Sequence, residues 1–113
     1  MKEFIFNDCG ICTNPNRYGI DWRNEIKTAI RPDGKWVFGW NYNFDTPDQE
    51  GGCYGCSLIN RETFDTERDA CMAGISYLRK VASRRFIQGH RGRASIDACC
   101  DKIFDQWNQL TLF

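Results

Sequence analysis

The chain of 113 residues has the length of one domain, and its 42% hydrophobic and 27% charged residues are ordinary for a globular protein. The formal charge is zero, from 15 basic and 15 acidic residues, so no overall field attracts nucleic acid or an anionic membrane. No apolar run reaches the length of about 18 residues that a membrane span needs, and the start is too polar for a secretory segment, so we expect a cytoplasmic protein with no membrane partner.

The first elements in chain order are predicted to be strands. Residues 2–6 alternate as a short strand, and a loop rich in turn formers follows it. Residues 17–31 alternate weakly as a second strand. Pro32 and Gly34 then suit a tight turn, which predicts a hairpin into the next strand.

The most distinctive stretch runs from Trp36 to Phe44, where every even position is aromatic. In a strand this period of two places five rings on one face. Exposed rings can stack nucleic-acid bases, and Trp36, Trp40 and Tyr42 would be suitable platforms. Large rings followed by two amphipathic helices favour a core instead, and we predict that the helices cover this face.

The remaining pattern predicts one short strand and two helices. The strand runs from Cys53 to about Ile59, after a polar loop. Thr66 caps a helix that extends to about Ile87, and Ser95 caps a last helix. The predicted fold is a single α+β domain over residues 1–113, with an antiparallel sheet of three to four strands and two C-terminal helices packed on one face. The last helix, with Trp107 and Leu110, closes either this core or a homodimer.

The seven cysteines include two C-x-x-C units, Cys9 to Cys12 and Cys53 to Cys56. Two such units can hold one tetrahedral zinc ion, because each pair of thiolates wraps one edge of the metal. The forty residues between the units suit a zinc ribbon with an intervening hairpin. The second unit lies in an alternating strand, where Cys53 and Cys56 would face opposite sides. The alternative is therefore that these cysteines are ordinary reduced thiols and that the protein has no cofactor.

Charge is unevenly distributed along the chain. Residues 70–96 contain six Lys or Arg residues and no acid, while residues 1–69 contain eight against twelve acids. The basic segment, residues 79–93, either contacts a partner, including phosphate of nucleic acid, or is neutralised by acids of the same domain. Its candidate binding residues are Arg79, Lys80, Arg84, Arg85, His90, Arg91 and Arg93. The acidic loop, residues 45–52, is a second candidate surface, with Asp45, Asp48 and Glu50.

Catalysis has little support in the sequence. The one histidine, His90, lies in a Gly/Arg linker, and no motif pairs it with a nucleophile. Cys71 lies in the apolar stripe of a helix, where burial is expected. We therefore predict no enzymatic activity and name no catalytic residue.

One resemblance adds context. Trp36-Val-Phe-Gly-Trp-Asn-Tyr42, then Gly51-Gly-Cys-Tyr-Gly-Cys56, then Phe64-Asp-Thr-Glu-Arg-Asp-Ala70 resembles the layout of small uncharacterised accessory proteins of phages and conjugative elements. The resemblance covers about residues 33–80, and its motifs are structural, so it transfers no site residues. It implies a compact accessory protein, whose roles include blocking a host defence complex.

Together these features predict a non-enzymatic binding protein of phage or mobile-element type. It would act as an anti-defence inhibitor that occupies a surface of a larger host protein or ribonucleoprotein. The alternative is a zinc-ribbon-like nucleic-acid-binding protein that uses the four cysteines for metal and the same arginines for phosphate.

Overall fold

The structure is a computed structural model that describes residues 2–21, 24–42, 52–85 and 91–111. Its four antiparallel strands lie in the sheet in chain order, and two helices follow them. The predicted α+β fold class is therefore confirmed. Neither helix of the described part combines the length and apolarity that crossing a membrane requires. The elements are β1 (Asn16–Asp21), β2 (Asn24–Ile30), β3 (Trp36–Tyr42), β4 (Gly52–Tyr54), α1 (Glu67–Arg85) and α2 (Arg91–Thr111).

The predicted hairpin into the aromatic strand is present between β2 and β3. The Gly34 N–H donates to the Arg31 carbonyl at 2.9 Å, and Gly34 has a φ of 82°, which an L side chain rarely adopts. The Asp33 carboxylate accepts from the Lys35 N–H at 3.1 Å. This turn fixes the register in which Ile26 pairs with Trp40.

Both helices pack on the face of the sheet that carries Ile26. A Cβ at Gly74 of α1 would lie 2.9 Å from the Ile26 Cδ1 and 3.3 Å from a Phe38 ring atom, so α1 approaches the sheet closely there. Trp107 of α2 meets Tyr18 of β1, with ring centroids 5.4 Å apart. Phe38, Trp40 and Tyr42 of β3 therefore lie against the helices as predicted, although they are only half-buried. Trp36 instead meets Phe4, with ring centroids 5.9 Å apart, and Phe44 lies outside the described residues.

The opposite face of the sheet is covered as well, which the sequence did not indicate. Ala29 and Val37 are fully buried there, beneath Cys12 of the N-terminal segment and Cys56 of the segment after β4. Phe4 and Phe6 pack on the same cluster. Apolar residues of both flanking segments close over this face, so Val37 is more buried than the rings beside it.

Two predicted strand assignments are wrong. Residues 2–6 form only an isolated bridge, Phe6 to Cys12, because the Asn14 side chain takes two backbone partners: it accepts from the Ile5 N–H at 2.7 Å and donates to the Glu3 carbonyl at 2.8 Å. Residues 17–31 lie in two strands, β1 and β2, rather than one.

The predicted ends of the later elements are partly right. Thr66 caps α1 as expected, since its Oγ1 accepts from the Asp69 N–H at 3.1 Å. By contrast, α2 begins at Arg91, so Ser95 lies inside the helix and does not cap it. β4 ends at Tyr54, five residues before the predicted Ile59, because the chain turns away over Gly39.

Candidate functional site

The outer edge of β3 is occupied by two separate pieces of chain. β4 pairs with Trp40–Tyr42, and farther along Phe64 and Trp36 exchange backbone hydrogen bonds of 2.8 and 2.9 Å. Between these pieces the chain leaves the edge and crosses the face that carries Gly39, where a Cβ would overlap the Tyr54 carbonyl oxygen. Residues 55–63 make this departure from the edge, and we call them the detour. They leave a cleft open at the sheet edge.

This aromatic cleft has a volume of about 510 Å³, within the range of about 300–1,000 Å³ that ligand pockets occupy. β3 contributes two half-buried rings, β4 and α1 contribute one tyrosine each, and the detour contributes aliphatic, polar and charged side chains. The lining residues are Phe38, Trp40, Tyr54, Ile59, Asn60, Arg61, Glu62 and Tyr77.

Trp40 is the centre of a ring stack in the cleft. Its ring lies 5.0 Å from that of Tyr77 and 5.9 Å from that of Tyr54, with interplanar angles of 22° and 18°. Tyr42 stacks on it at 5.0 Å and 21°. Tyr54 remains 47% exposed and Tyr77 38%, so the stack offers near-parallel ring surface to solvent. Such offset-stacked rings also stabilise one another.

The wall of the cleft is held in place by hydrogen bonds from the hairpin. Arg31 donates from Nη1 to the carbonyls of Leu58 and Asn60, at 3.2 and 3.1 Å. Asn60 donates from Nδ2 to the Phe38 carbonyl at 3.2 Å, which fixes the orientation of its side-chain amide. Asn60 is 8% exposed, and its Oδ1 has no hydrogen-bond partner among the described residues. An unsatisfied buried acceptor costs about 1–3 kcal/mol.

One cation lines the cleft, and two more lie along the side of α1 that carries Tyr77. Arg61 is exposed in the lining, and Lys80 and Arg84 follow Tyr77 on the exposed side of α1 at spacings of three and seven residues. Residues at these spacings share one side of a helix. None of the three cations forms an ion pair or hydrogen bond to another described residue. Glu62 is the one carboxylate among the residues that line the cleft.

The predicted basic segment is divided by these contacts. Arg79 donates to Asp97 and Asp101 of α2 at 3.2 and 2.7 Å, and Arg93 lies 3.9 Å from Asp97. These two arginines are thus engaged by acids of the same chain, whereas Lys80 and Arg84 pair with no acid of the described residues. The remaining predicted binding residues cannot be placed in this way. Asp45, Asp48, Glu50 and His90 lie outside the described residues, and so do the side chains of Arg85 and Arg91.

The structure brings together one cysteine from each C-x-x-C unit. The Cys12 N–H donates to the Cys56 carbonyl at 2.8 Å, and both side chains are buried in one cluster. Cys9 and Cys53 are exposed, and no group of three or more His, Cys, Asp or Glu among the described residues could hold a metal ion. The four-cysteine zinc site stays a prediction that metal analysis tests.

Cys71 of α1 is fully buried in the core between the helices and the sheet. Burial raises the pKa of its thiol to about 12, so the thiol keeps its proton at neutral pH. Because the thiolate is the nucleophilic form, Cys71 is poorly suited to covalent catalysis.

Similarity to other proteins assigns no role to the cleft or to the cysteines. No protein-family model, curated protein or solved structure matches this chain. A function is therefore inferred from the contacts and charges of the site itself.

Apart from Trp40, which the sequence offered as a stacking platform, sequence reasoning missed the lining residues of the cleft as site residues. Tyr77 had a detectable signal, because it is the one aromatic residue among the exposed positions of α1, between Ser76 and Lys80. Asn60 and Arg61 had none. Their placement depends on the detour after β4, which the period-two pattern of residues 53–59 concealed.

Proposed function

We propose that this chain is a non-enzymatic binding protein that acts by occupying a surface of a larger protein or ribonucleoprotein. The observation that carries this proposal is the aromatic cleft with its exposed tyrosines. Tyr and Trp are enriched at the centres of interfaces, because they bring large contact area with little loss of side-chain entropy. Ile59, which is 83% exposed beside the cleft, extends the apolar surface.

The chemistry of the cleft supports binding rather than catalysis. General acid–base catalysis needs a donor and an acceptor matched to the reacting groups, and covalent catalysis needs an activated nucleophile. Among its lining residues, the cleft has one carboxylate, one guanidinium and two phenols, with no cysteine or histidine. These groups can orient and hold a ligand.

The biological context of the proposal comes from the resemblance of residues 33–80 to accessory proteins of phages and conjugative elements. Such a protein would work by blocking a host defence complex, and a compact chain with one ring-lined contact surface suits that role. The cytoplasm is where such a complex would be met.

The proposal is tested by affinity purification of the tagged protein from its host, in the wild type and in two matched variants. Tyr77→Ala removes a cleft ring. Phe104→Ala removes an aromatic residue of α2 that is 45% exposed and does not line the cleft. We expect Tyr77→Ala to weaken retention of a specific partner about 30-fold, since truncating a hot-spot residue costs about 2 kcal/mol.

Phe104→Ala should retain the partner as the wild type does. Equal retention by all three proteins would remove the cleft from the contact surface. If neither the wild type nor either variant retains a partner above background, the proposed function itself is contradicted.

A further inference from the structure

We propose that the aromatic cleft and the adjoining side of α1 bind a segment of single-stranded nucleic acid, with a base against the rings and phosphates beside Arg61, Lys80 and Arg84. This inference rests on the proposed function, because it names the chemistry of the partner that the same surface contacts. It also differs from the zinc-ribbon hypothesis, since it requires neither metal nor cysteine.

The rings provide the stacking surface that a base requires. The ring planes of Tyr54 and Tyr77 are tilted from that of Trp40 by 18° and 22°, and both tyrosines are partly exposed. Every base has a π-face, so a parallel aromatic surface binds unpaired bases with little regard to sequence. A paired base inside a duplex cannot present that face, which restricts the ligand to a single strand.

The cations beside the cleft favour an anion. Arg84 lies seven residues after Tyr77 on the same side of α1, about 10 Å along the helix axis, with Lys80 between them. Arg61 lies in the cleft lining, where Glu62 is the one carboxylate. Neighbouring cations that have no partner among the described residues can neutralise phosphates and release their counterions.

The charges also argue against the competing occupant, an arginine of a protein partner. Such a side chain would meet Arg61, Lys80 and Arg84, which have no partner among the described residues, and like charges placed together weaken binding. Asn60 is not needed as a contact, since its Oδ1 is enclosed in the wall of the cleft.

The test is fluorescence anisotropy of the full chain with a labelled single-stranded RNA 12-mer, and with the same strand in a duplex. The wild type should bind the single strand and prefer it to the duplex. Tyr77→Ala should weaken binding between about 5-fold and 150-fold, the range expected for losing one stacked base. Phe104→Ala, the matched ring removal on α2, should bind as the wild type does.

A charge variant keeps the test valid if removing the tyrosine disturbs folding. Arg84→Gln changes an exposed side chain and should reduce the slope of log affinity against log salt by about 0.7, the share of one phosphate contact on a single strand. Lys102→Gln removes an exposed cation of α2 and should leave the slope unchanged. Far-UV circular dichroism verifies that each variant is folded.

The outcomes separate this inference from the proposed function. The inference is overturned if the single strand does not bind at low salt. It is also overturned if Tyr77→Ala and Phe104→Ala bind equally and the two charge variants have equal salt slopes. If the strand does not bind but Tyr77→Ala still loses the host partner, the cleft takes a protein side chain and only the inference fails. If the strand binds as predicted but no host partner is retained, the inference stands and the proposed function fails.

Discussion

The Glu67 carboxylate connects the start of α1 to two strands of the sheet. It accepts hydrogen bonds from the Asn16 Nδ2 at 2.6 Å and the Thr28 Oγ1 at 2.7 Å. Burial, together with this nearby carboxylate, raises the pKa of the Tyr18 phenol. These partners lie 39 to 51 residues before Glu67 in the chain. The sequence does not reveal these contacts of Glu67, because periodicity carries no information about contacts between distant elements.

Three buried thiols make stability depend on pH above neutrality. Burial raises the pKa of Cys56, Cys71 and Cys100 to about 12, from an ordinary value near 9. Between these values the folded chain holds protons that the unfolded chain has lost. The contribution of these thiols to the free energy of unfolding should therefore be constant below about pH 8 and fall as pH rises, by up to about 1.4 kcal/mol per pH unit for each thiol.

Urea unfolding between pH 8 and 9, followed by circular dichroism, measures this slope where the Tyr18 phenol, whose ordinary pKa is 10.0, still keeps its proton in the unfolded chain. Cys100→Ala should reduce the slope by about a third, since one of the three thiols is removed. Cys53→Ser, at an exposed thiol, should keep the wild-type slope. A slope that is the same in Cys100→Ala and the wild type would contradict the role of buried thiols.

Whole elements were predicted well where one regular pattern dominates. The alternation of residues 36–42 predicts β3, and the three- and four-residue spacing from Cys71 to Ala82 predicts α1. The patterns were less informative about the second face of the sheet. Phe4 and Cys56 cover that face from segments without regular structure, and such packing has no period that a sequence reveals.

The end of β4 depends on Gly39, because the chain crosses over this glycine as it leaves the sheet. A Cβ there would overlap the Tyr54 carbonyl oxygen and lie 3.0 Å from the Gly55 carbonyl carbon, and both are backbone atoms. Gly39→Ala should lower the free energy of unfolding by about 3 kcal/mol, at the upper end of overpacking costs. Urea unfolding measures the loss.

Gly55→Ala provides the matched control. Its Cβ would meet only the Cγ2 of Ile11, at 2.9 Å, and that side chain is 41% exposed and has room to move. If Gly39→Ala lowers the free energy of unfolding no more than Gly55→Ala does, the crossing segment shifts at little cost. The contact over Gly39 then does not fix the cleft wall.

At the scale of the whole molecule, the cleft lies where three independently predicted pieces meet: the aromatic strand, the C-x-x-C strand and the first helix. The sequence showed each piece separately. It also showed an excess of basic residues in 70–96, but only the structure divides them into Arg79, which is neutralised by α2, and Lys80 and Arg84, which are not. Side-chain pairing between helices decides which charges remain for a partner.

The metal hypothesis also concerns the whole molecule, because a zinc ion on the four cysteines would join the N-terminal segment to β4 and the segment after it. These segments already meet through the Cys12 to Cys56 hydrogen bond and through the packing of Gly10 on Leu58, whose side-chain atoms lie 3.6 Å from a Cβ built there. Their packing thus needs no metal to explain it.

We expect the protein purified without chelator to contain well below the one zinc per chain that a four-thiolate site requires. Adding a chelator should leave the melting temperature unchanged, because the buried side chains of Cys12 and Cys56 already contribute apolar packing. About one zinc per chain, with a melting temperature that falls on chelation in the wild type and is already lowered in Cys9→Ser, would instead establish that the exposed cysteines turn inward to complete a structural site.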